Sequence, residues 1–255
     1  RQRQMCIRDR IGDLCTAINH MADELSNADA MKNEFISSVS HELRTPLTAI
    51  RGWAETIRTE RDPVIFKKGI RVITNETERL SQMVEELLDF SRMQSGHFTL
   101  QQSAMDVLAE LGEAALIYAE RAKIEDITMT YEEPEMLPVV YGDKNRIRQV
   151  FINIIDNAIK YSNRGGTVKI VAGTSPEGDI RVTVEDNGCG IRKSDLPKIK
   201  TKFYKANHTK KGSGIGLAVA DEIIQMHGGT LTLESEEGKG TKVTITIPPQ
   251  KPEDK

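Results

Sequence analysis

The chain has 255 residues, 35 Lys and Arg against 38 Asp and Glu, a net charge of −3, and 38% hydrophobic and 29% charged residues. That length allows two modest domains, and the balanced charge lacks the basic footprint of a nucleic-acid binder. Its three cysteines, Cys6, Cys15 and Cys189, form neither a paired framework nor a CxxC, which points to reduced thiols. No run approaches the ~18–20 apolar residues that span a bilayer, so the chain reads as soluble as given, which leaves open that it is the inner portion of something larger.

Residues 1–10 (RQRQMCIRDR) share no period with the helical repeat that begins at Ile11 and read as a disordered end or an artefact. From Ile11 the apolar positions Ile11, Leu14, Ile18, Met21, Leu25 and Ala28 repeat at alternating spacings of three and four, a coiled-coil seam. The seam runs in phase into Phe35, Val39, Leu43, Leu47 and Ile50. His41 lies two residues from both Val39 and Leu43, roughly 200° round the helix from each, so it should point away from the packed seam. The first long helix should end near Glu60-Arg61, with Asp62 capping the next and Pro63 in its first turn. The second helix carries its own stripe at Phe66, Ile70, Ile73, Thr77, Leu80, Val84, Leu87 and Ser91. One hairpin has too little surface to bury both stripes, so two should pair as a homodimeric four-helix bundle. Gly96 breaks the pattern and marks a hinge.

Beyond Phe98, helical stripes at about 105–122, 143–161 and 214–227 alternate with period-two strands. Those strands cover Ile127–Tyr131, Val168–Ala172, Ile180–Val184, Leu231–Leu233 and Val243–Ile247, with turns at Ser175–Gly178 and Glu237–Gly240. The expected architecture is a two-layer α/β sandwich, a mixed sheet with three helices on one face, ending in a disordered tail. On the 143–161 helix, Gln149, Asn153, Asn157 and Lys160 form a polar line beside the apolar face, which suits either a lined cleft or a solvated surface. Asp186 closes a strand ahead of Asn187-Gly188-Cys189-Gly190-Ile191, where a carboxylate can accept a base's amino protons and the glycines permit close approach. Gly212-Ser213-Gly214-Ile215-Gly216-Leu217 opens a helix whose N–H groups attract phosphate, after lysines at 205, 210 and 211. It is neither a Rossmann fingerprint nor a Walker A string.

Taken together these strings resemble the sensor histidine kinases of two-component systems. SxSHELRTPLTAI around His41 is similar to their H box, QVFINIIDNAIKYS to the N box, Asp186 to Ile191 to G1, Gly212 to Leu217 to G2, and Gly238 to Thr241 to a third glycine box. IGDLCTAINHMADEL resembles the last helix of a HAMP module, although an inert dimerising stalk fits the same heptads. The resemblance implies a HisKA-type core: residues 11–30 end a HAMP-like signalling helix, 31–96 form the dimerisation and phosphotransfer hairpin, 97–248 a Bergerat-type ATP-binding domain, and 249–255 the tail. A missing N-terminal part would carry the membrane anchor, making this the cytoplasmic portion of a bacterial membrane protein.

By the same resemblance, His41 accepts the γ-phosphoryl group of ATP and passes it to an aspartate on a response-regulator receiver domain. Asn157 would ligate Mg²⁺, Asn153 would assist near the metal, Lys160 and Lys205 would meet phosphate, and Tyr161 would lie against adenine. Asp186, Gly188, Gly190, Ile191 and Thr241 would form the base site, with Gly212, Gly214, Gly216 and Leu217 at the lid. One departure is the F box, where Lys200, Lys202 and Lys205 stand in a region that usually carries arginine, giving point charges without a planar fork. Related ATPases resemble one another in carrying a basic glutamate where this chain has Asn153. An amide cannot deprotonate water, so transfer to His41 is favoured over hydrolysis. Glu42 could take the ring proton if it reaches round the helix. Thr45 either orients water in a phosphatase motif or eases the helix at Pro46. A dimeric adaptor and a stand-alone ATPase are the competing functions.

Overall fold

The computed structural model of the protein describes residues 2–95, 98–200, 204 and 214–249. The hinge expected at Gly96, and all of the expected tail but Pro249, fall outside these. The chain divides after Leu80 into two compact units.

The first unit holds α1 (Gln2–Thr59) and most of α2 (Pro63–Gln94). Helix α1 includes residues 2–10, although their sequence lacks the heptad period, and continues through His41. Between the helices, Glu60 Oε1 accepts from the N–H groups of Arg61 and Asp62, each at 2.8 Å. Asp62 Oδ1 accepts from Val64 N at 2.8 Å, the cap expected of it. Pro46 sits buried inside α1 and has no N–H for the Glu42 carbonyl. Around it, Ser40, Thr45 and Thr48 donate their hydroxyls to the carbonyls of Ile36, His41 and Arg44. The helices approach closely at Gly69, where an added Cβ would stand 2.4 Å from Ile57 Cγ2 and 3.0 Å from Trp53 Cε3. Much of the apolar stripe stays uncovered in the single chain: Leu47, Phe66 and Ile70 are 55%, 47% and 44% exposed.

The second unit is a two-layer sandwich. Its sheet has the order β2-β4-β5-β7-β6, built from β2 (Thr128–Glu132), β4 (Thr167–Thr174), β5 (Ile180–Asp186), β6 (Thr230–Glu236) and β7 (Gly240–Ile247). β2 pairs parallel with β4 and the other neighbours are antiparallel, so the sheet is mixed as expected. Helices α3 (Val107–Ile124), α4 (Lys144–Tyr161) and α5 (Gly216–Met226) pack on it. Alternate residues Val168, Ile170, Ile180, Val182, Ile245 and Ile247 are buried, and Ile147, Phe151, Ile154 and Ile155 of α4 join this core. A two-stranded ribbon of β1 (Ser103–Met105) and β3 (Val140–Gly142) was not expected; three-residue strands carry too little periodicity to be read.

The start of α4 is pinned from several directions. Asp143 caps it, its Oδ1 accepting from Asn145 N at 3.1 Å and Arg146 N at 3.2 Å, while its Oδ2 accepts from Gln101 N at 2.9 Å. Its own N–H donates to His227 Nε2 at 2.9 Å, and the His227 Nδ1 lies 2.7 Å from Ile223 O. Nε2 must therefore carry the lone pair and Nδ1 the proton, and the ring is 1% exposed. From the end of α2, the buried Asp89 carboxylate pairs with Arg146 and accepts from Gln149 Nε2 at 3.1 Å. Arg146 also lies 4.8 Å over the ring of Phe98. These contacts draw Ser81–Gln94 into the second unit, so the division falls within α2.

Candidate functional site

In the first unit, His41 is exposed on α1, as its place in the heptad requires. Glu42, next along the helix, has its carboxylate 3.7 Å from Arg79 of α2, with 11% of its side chain exposed. The pairing with α2 was not legible beforehand, because adjacent residues diverge by about 100° and the partner lies on another helix. The Thr45 hydroxyl donates to His41 O at 3.2 Å.

In the second unit, three chain segments converge beside the C-terminal end of α4. The Cys189 N–H donates to Tyr161 O at 3.1 Å, and a Cβ on Gly188 would lie 2.2 Å from that same oxygen. Gly190, at φ 64°, would place a Cβ 2.0 Å from Glu236 O; Gly240, at φ 114°, would place one 1.9 Å from Asp186 O. Only glycine fits these two backbones. The loop after β5 thus lies between α4 and the β6–β7 turn. Asp186 is buried there, with Oδ1 accepting from Gly188 N at 2.9 Å and a further bond from the Thr241 N–H. Burial pushes its carboxyl above the ordinary range, against the opposing pull of those two N–H groups. Asp186 and Thr241 are direct register partners across β5 and β7.

Along α4, Asn153 is 7% exposed and its Nδ2 donates to Gly216 O at 3.1 Å, joining the helix to the start of α5. Asn157, Lys160 and Tyr161 are half-buried, and Lys160 Nζ lies 5.0 Å above the Tyr161 ring. Gln149 and Asn153 also line a cavity of about 430 Å³, together with Asp89, Tyr118 and Arg146. Gly214 has φ 71° where the chain turns into α5, and Gly216 and Leu217 are half-buried at its first turn. Lys205 and Gly212, with Lys202, Lys210 and Lys211, lie outside the described residues. Lys200 is committed elsewhere, its Nζ bonding Asp221 Oδ1 at 2.8 Å and the Leu231 carbonyl. Tyr204 donates its hydroxyl to Asp195 Oδ1 at 2.9 Å.

Two residues the sequence did not single out complete the site. Ser235 accepts from Ile191 N at 2.8 Å and touches Gly240 O and Thr241 Oγ1. His227 fixes the start of α4 from the end of α5. Neither stands in a glycine string, and only the strand register and the helix packing bring them in. Among the described residues no three His, Cys, Asp or Glu side chains cluster as a metal site. An amide such as that of Asn157 suits Mg²⁺, which prefers oxygen and completes its shell with phosphates and water.

The relatives of this chain share both units. Residues 31–96 match the family described as His Kinase A (phospho-acceptor) domain, and residues 142–251 the family of histidine kinase-, DNA gyrase B- and HSP90-like ATPases. Sensor histidine kinase WalK of Bacillus subtilis (strain 168) is 34% identical over 239 residues, 91% of this chain and 39% of WalK. The chain thus spans about two fifths of the curated relatives it matches. Full-length ShkA in complex with AMPPNP superposes with a TM-score of 0.63 at 25% identity, over 83% of this chain and 45% of ShkA. Histidine kinase ThkA, in complex with the response regulator TrrA, gives 0.63 at 28% identity over 85% of this chain and 61% of ThkA. With matching families over its helical and its α/β parts, the chain belongs to the sensor histidine kinases of two-component systems.

Proposed function

We propose that this chain transfers the γ-phosphoryl group of ATP to His41 and then to an aspartate on a response-regulator receiver domain. The observation that carries the reading is Asn153, a buried amide on the wall of the cleft with its nitrogen committed to Gly216 O. Having no basic atom, it cannot activate water, which favours a nucleophile from outside the sandwich. The exposed ring of His41 supplies one. A ring nitrogen attacks the γ-phosphorus, the bond to the β-phosphate oxygen breaks, ADP leaves, and the ring proton passes to Glu42 or to water.

The chain's own groups do the positioning. Asp186 and Thr241 would hold the base with Tyr161 beside it, Lys160 would add positive charge, and the Asn157 amide oxygen would hold Mg²⁺. When bound, that cation neutralises the phosphates. Lys205 and the turn at Gly212 and Gly214 would act on the triphosphate from the lid. Thr45 would orient water against the regulator's phospho-aspartate in a separate phosphatase reaction, once its hydroxyl leaves the His41 carbonyl. The AMPPNP bound to ShkA and the TrrA bound to ThkA support the nucleotide and the partner.

The uncovered stripe through Leu47, Phe66 and Ile70 supports a homodimer in which two hairpins form a four-helix bundle. Residues 11–30 would relay a signal in the manner of a HAMP helix, from a membrane-bound sensor to a catalytic portion on the cytoplasmic side. Among the described residues no helix is long and apolar enough to cross a membrane.

Incubation with γ-labelled ATP and Mg²⁺ tests the proposal. Acid-labile, base-stable label should appear on the protein and vanish in His41→Gln and Asn157→Ala. Rapid phosphate release without labelled protein would instead make it an ATPase, and absence of nucleotide binding an adaptor.

A further inference from the structure

Ser235, on β6 beside the third glycine turn, has a hydroxyl that meets three groups at once. Gly240 O is 2.8 Å away, Ile191 N–H donates to it across 2.8 Å, and Thr241 Oγ1 stands at 2.9 Å. A serine hydroxyl offers one proton and two lone pairs. Two oxygens at 2.8 Å need a proton between them, and a carbonyl has none, so the Ser235 proton goes to Gly240 O. The Ile191 N–H fills one lone pair. The other then receives the Thr241 proton, and Ser235 is fully satisfied.

Thr241 is thereby left with lone pairs alone to offer a ligand. Its register partner Asp186 carries a carboxylate, also an acceptor, already steadied by the N–H groups of Gly188 and Thr241. Both side chains at this end of β5 and β7 therefore call for a base edge that brings protons. A 6-amino purine does so. At position 6 a 6-oxo purine has a carbonyl oxygen instead, its edge proton lying on N1, and that oxygen faces oxygens with no proton to share.

We infer that Ser235 is a positioning residue that, by taking the Thr241 proton, makes this subsite select a 6-amino purine over a 6-oxo one. The inference rests on the reading of this cleft as the nucleotide site. Without Ser235 the Thr241 hydroxyl turns freely and can donate to a 6-oxo group, so discrimination falls even though no ligand contact has been deleted.

The test measures dissociation constants of Mg-ATP and Mg-inosine triphosphate on the full chain, for wild type, Ser235→Ala, Ser235→Thr and Thr241→Val. Wild type should prefer ATP, Ser235→Ala should narrow that preference about three- to tenfold, and Ser235→Thr should restore it. A residue that merely braced the turn would weaken both nucleotides alike and leave their ratio untouched, and that result overturns the inference. If Ser235→Ala does not fold, Thr241→Val decides: an unchanged ratio there also overturns it. Equal wild-type affinity for both nucleotides sinks the role of Ser235 alone. Wild type binding neither sinks the nucleotide reading beneath it.

Discussion

Asn153 Nδ2 donates to Gly216 O at 3.1 Å, so the middle of α4 and the first residue of α5 are held by one amide proton. Asn153→Asp keeps the shape and replaces that donor with a carboxylate facing a carbonyl. The change should cost about 1–3 kcal/mol, measured by urea unfolding, and weaken ATP binding with it. An unchanged unfolding midpoint would mean that the amide does not hold this joint.

Asp186 trades stability for recognition. An acid whose folded pKa is raised supports the fold while protonated, and that support is lost as pH rises through the folded value. Burial raises Asp186 above its ordinary 3.8, so its stabilising share is full below 3.8 and is lost above the raised value. Asp186→Asn should thus be more stable than wild type at pH 7, with the difference shrinking as the pH falls toward 3.8. The same variant should bind ATP roughly tenfold or more weakly. Unfolding midpoints across pH and an ATP titration check the two halves separately.

Two glycines in the hairpin should answer the same substitution in opposite directions. Gly52 has nothing within 4 Å of an added Cβ, so Gly52→Ala should gain up to about 1 kcal/mol from helix propensity. At Gly69 the new methyl would lie 2.4 Å from Ile57 Cγ2, and Gly69→Ala should lose about 1–3 kcal/mol. Thermal melts that move together would contradict the close approach of α1 and α2.

His227→Leu removes the acceptor of the Asp143 N–H and the donor to Ile223 O. The Asp143 N–H is then buried without its acceptor, while Ile223 O keeps the backbone N–H of residue 227 at 3.2 Å, and the loss should cost roughly 1–3 kcal/mol in urea unfolding. Because Asp143 caps the helix bearing Asn153 and Asn157, nucleotide affinity should fall as well. Wild-type affinity in a destabilised variant would separate the cap from the site.

What could be read from the sequence was whatever a local pattern encodes. The heptads from Ile11 to Ile50 and from Phe66 to Ser91 announce two helices and put His41 outside, because 3.6-residue periodicity acts over neighbouring turns. Alternation in Val168–Ala172 and Val243–Ile247 marks strands for the same reason. The glycines at 188, 190 and 240 announce close backbone approach without naming what is approached. Groups that depend on distant partners stayed hidden. Ser235 meets Ile191 across 44 residues, Arg146 meets Asp89 across 57, and Asp143 meets His227 across 84. Glu42 was expected to reach toward its neighbouring imidazole, and its pairing with Arg79 follows from hairpin packing that no spacing in α1 encodes. Lys200 stands among the F-box lysines in the sequence, and the fold commits its charge to Asp221.

The Asp89 clasp changes where this molecule can sensibly be cut. A fragment begun at residue 97, where the periodicity changes, would lack the carboxylate that Arg146 and Gln149 share and would leave them only their hydrogen bond to each other. Starting the piece at Ser81 keeps that anchor, so the helical stub is an integral component of the nucleotide-binding half rather than a remnant of the stalk.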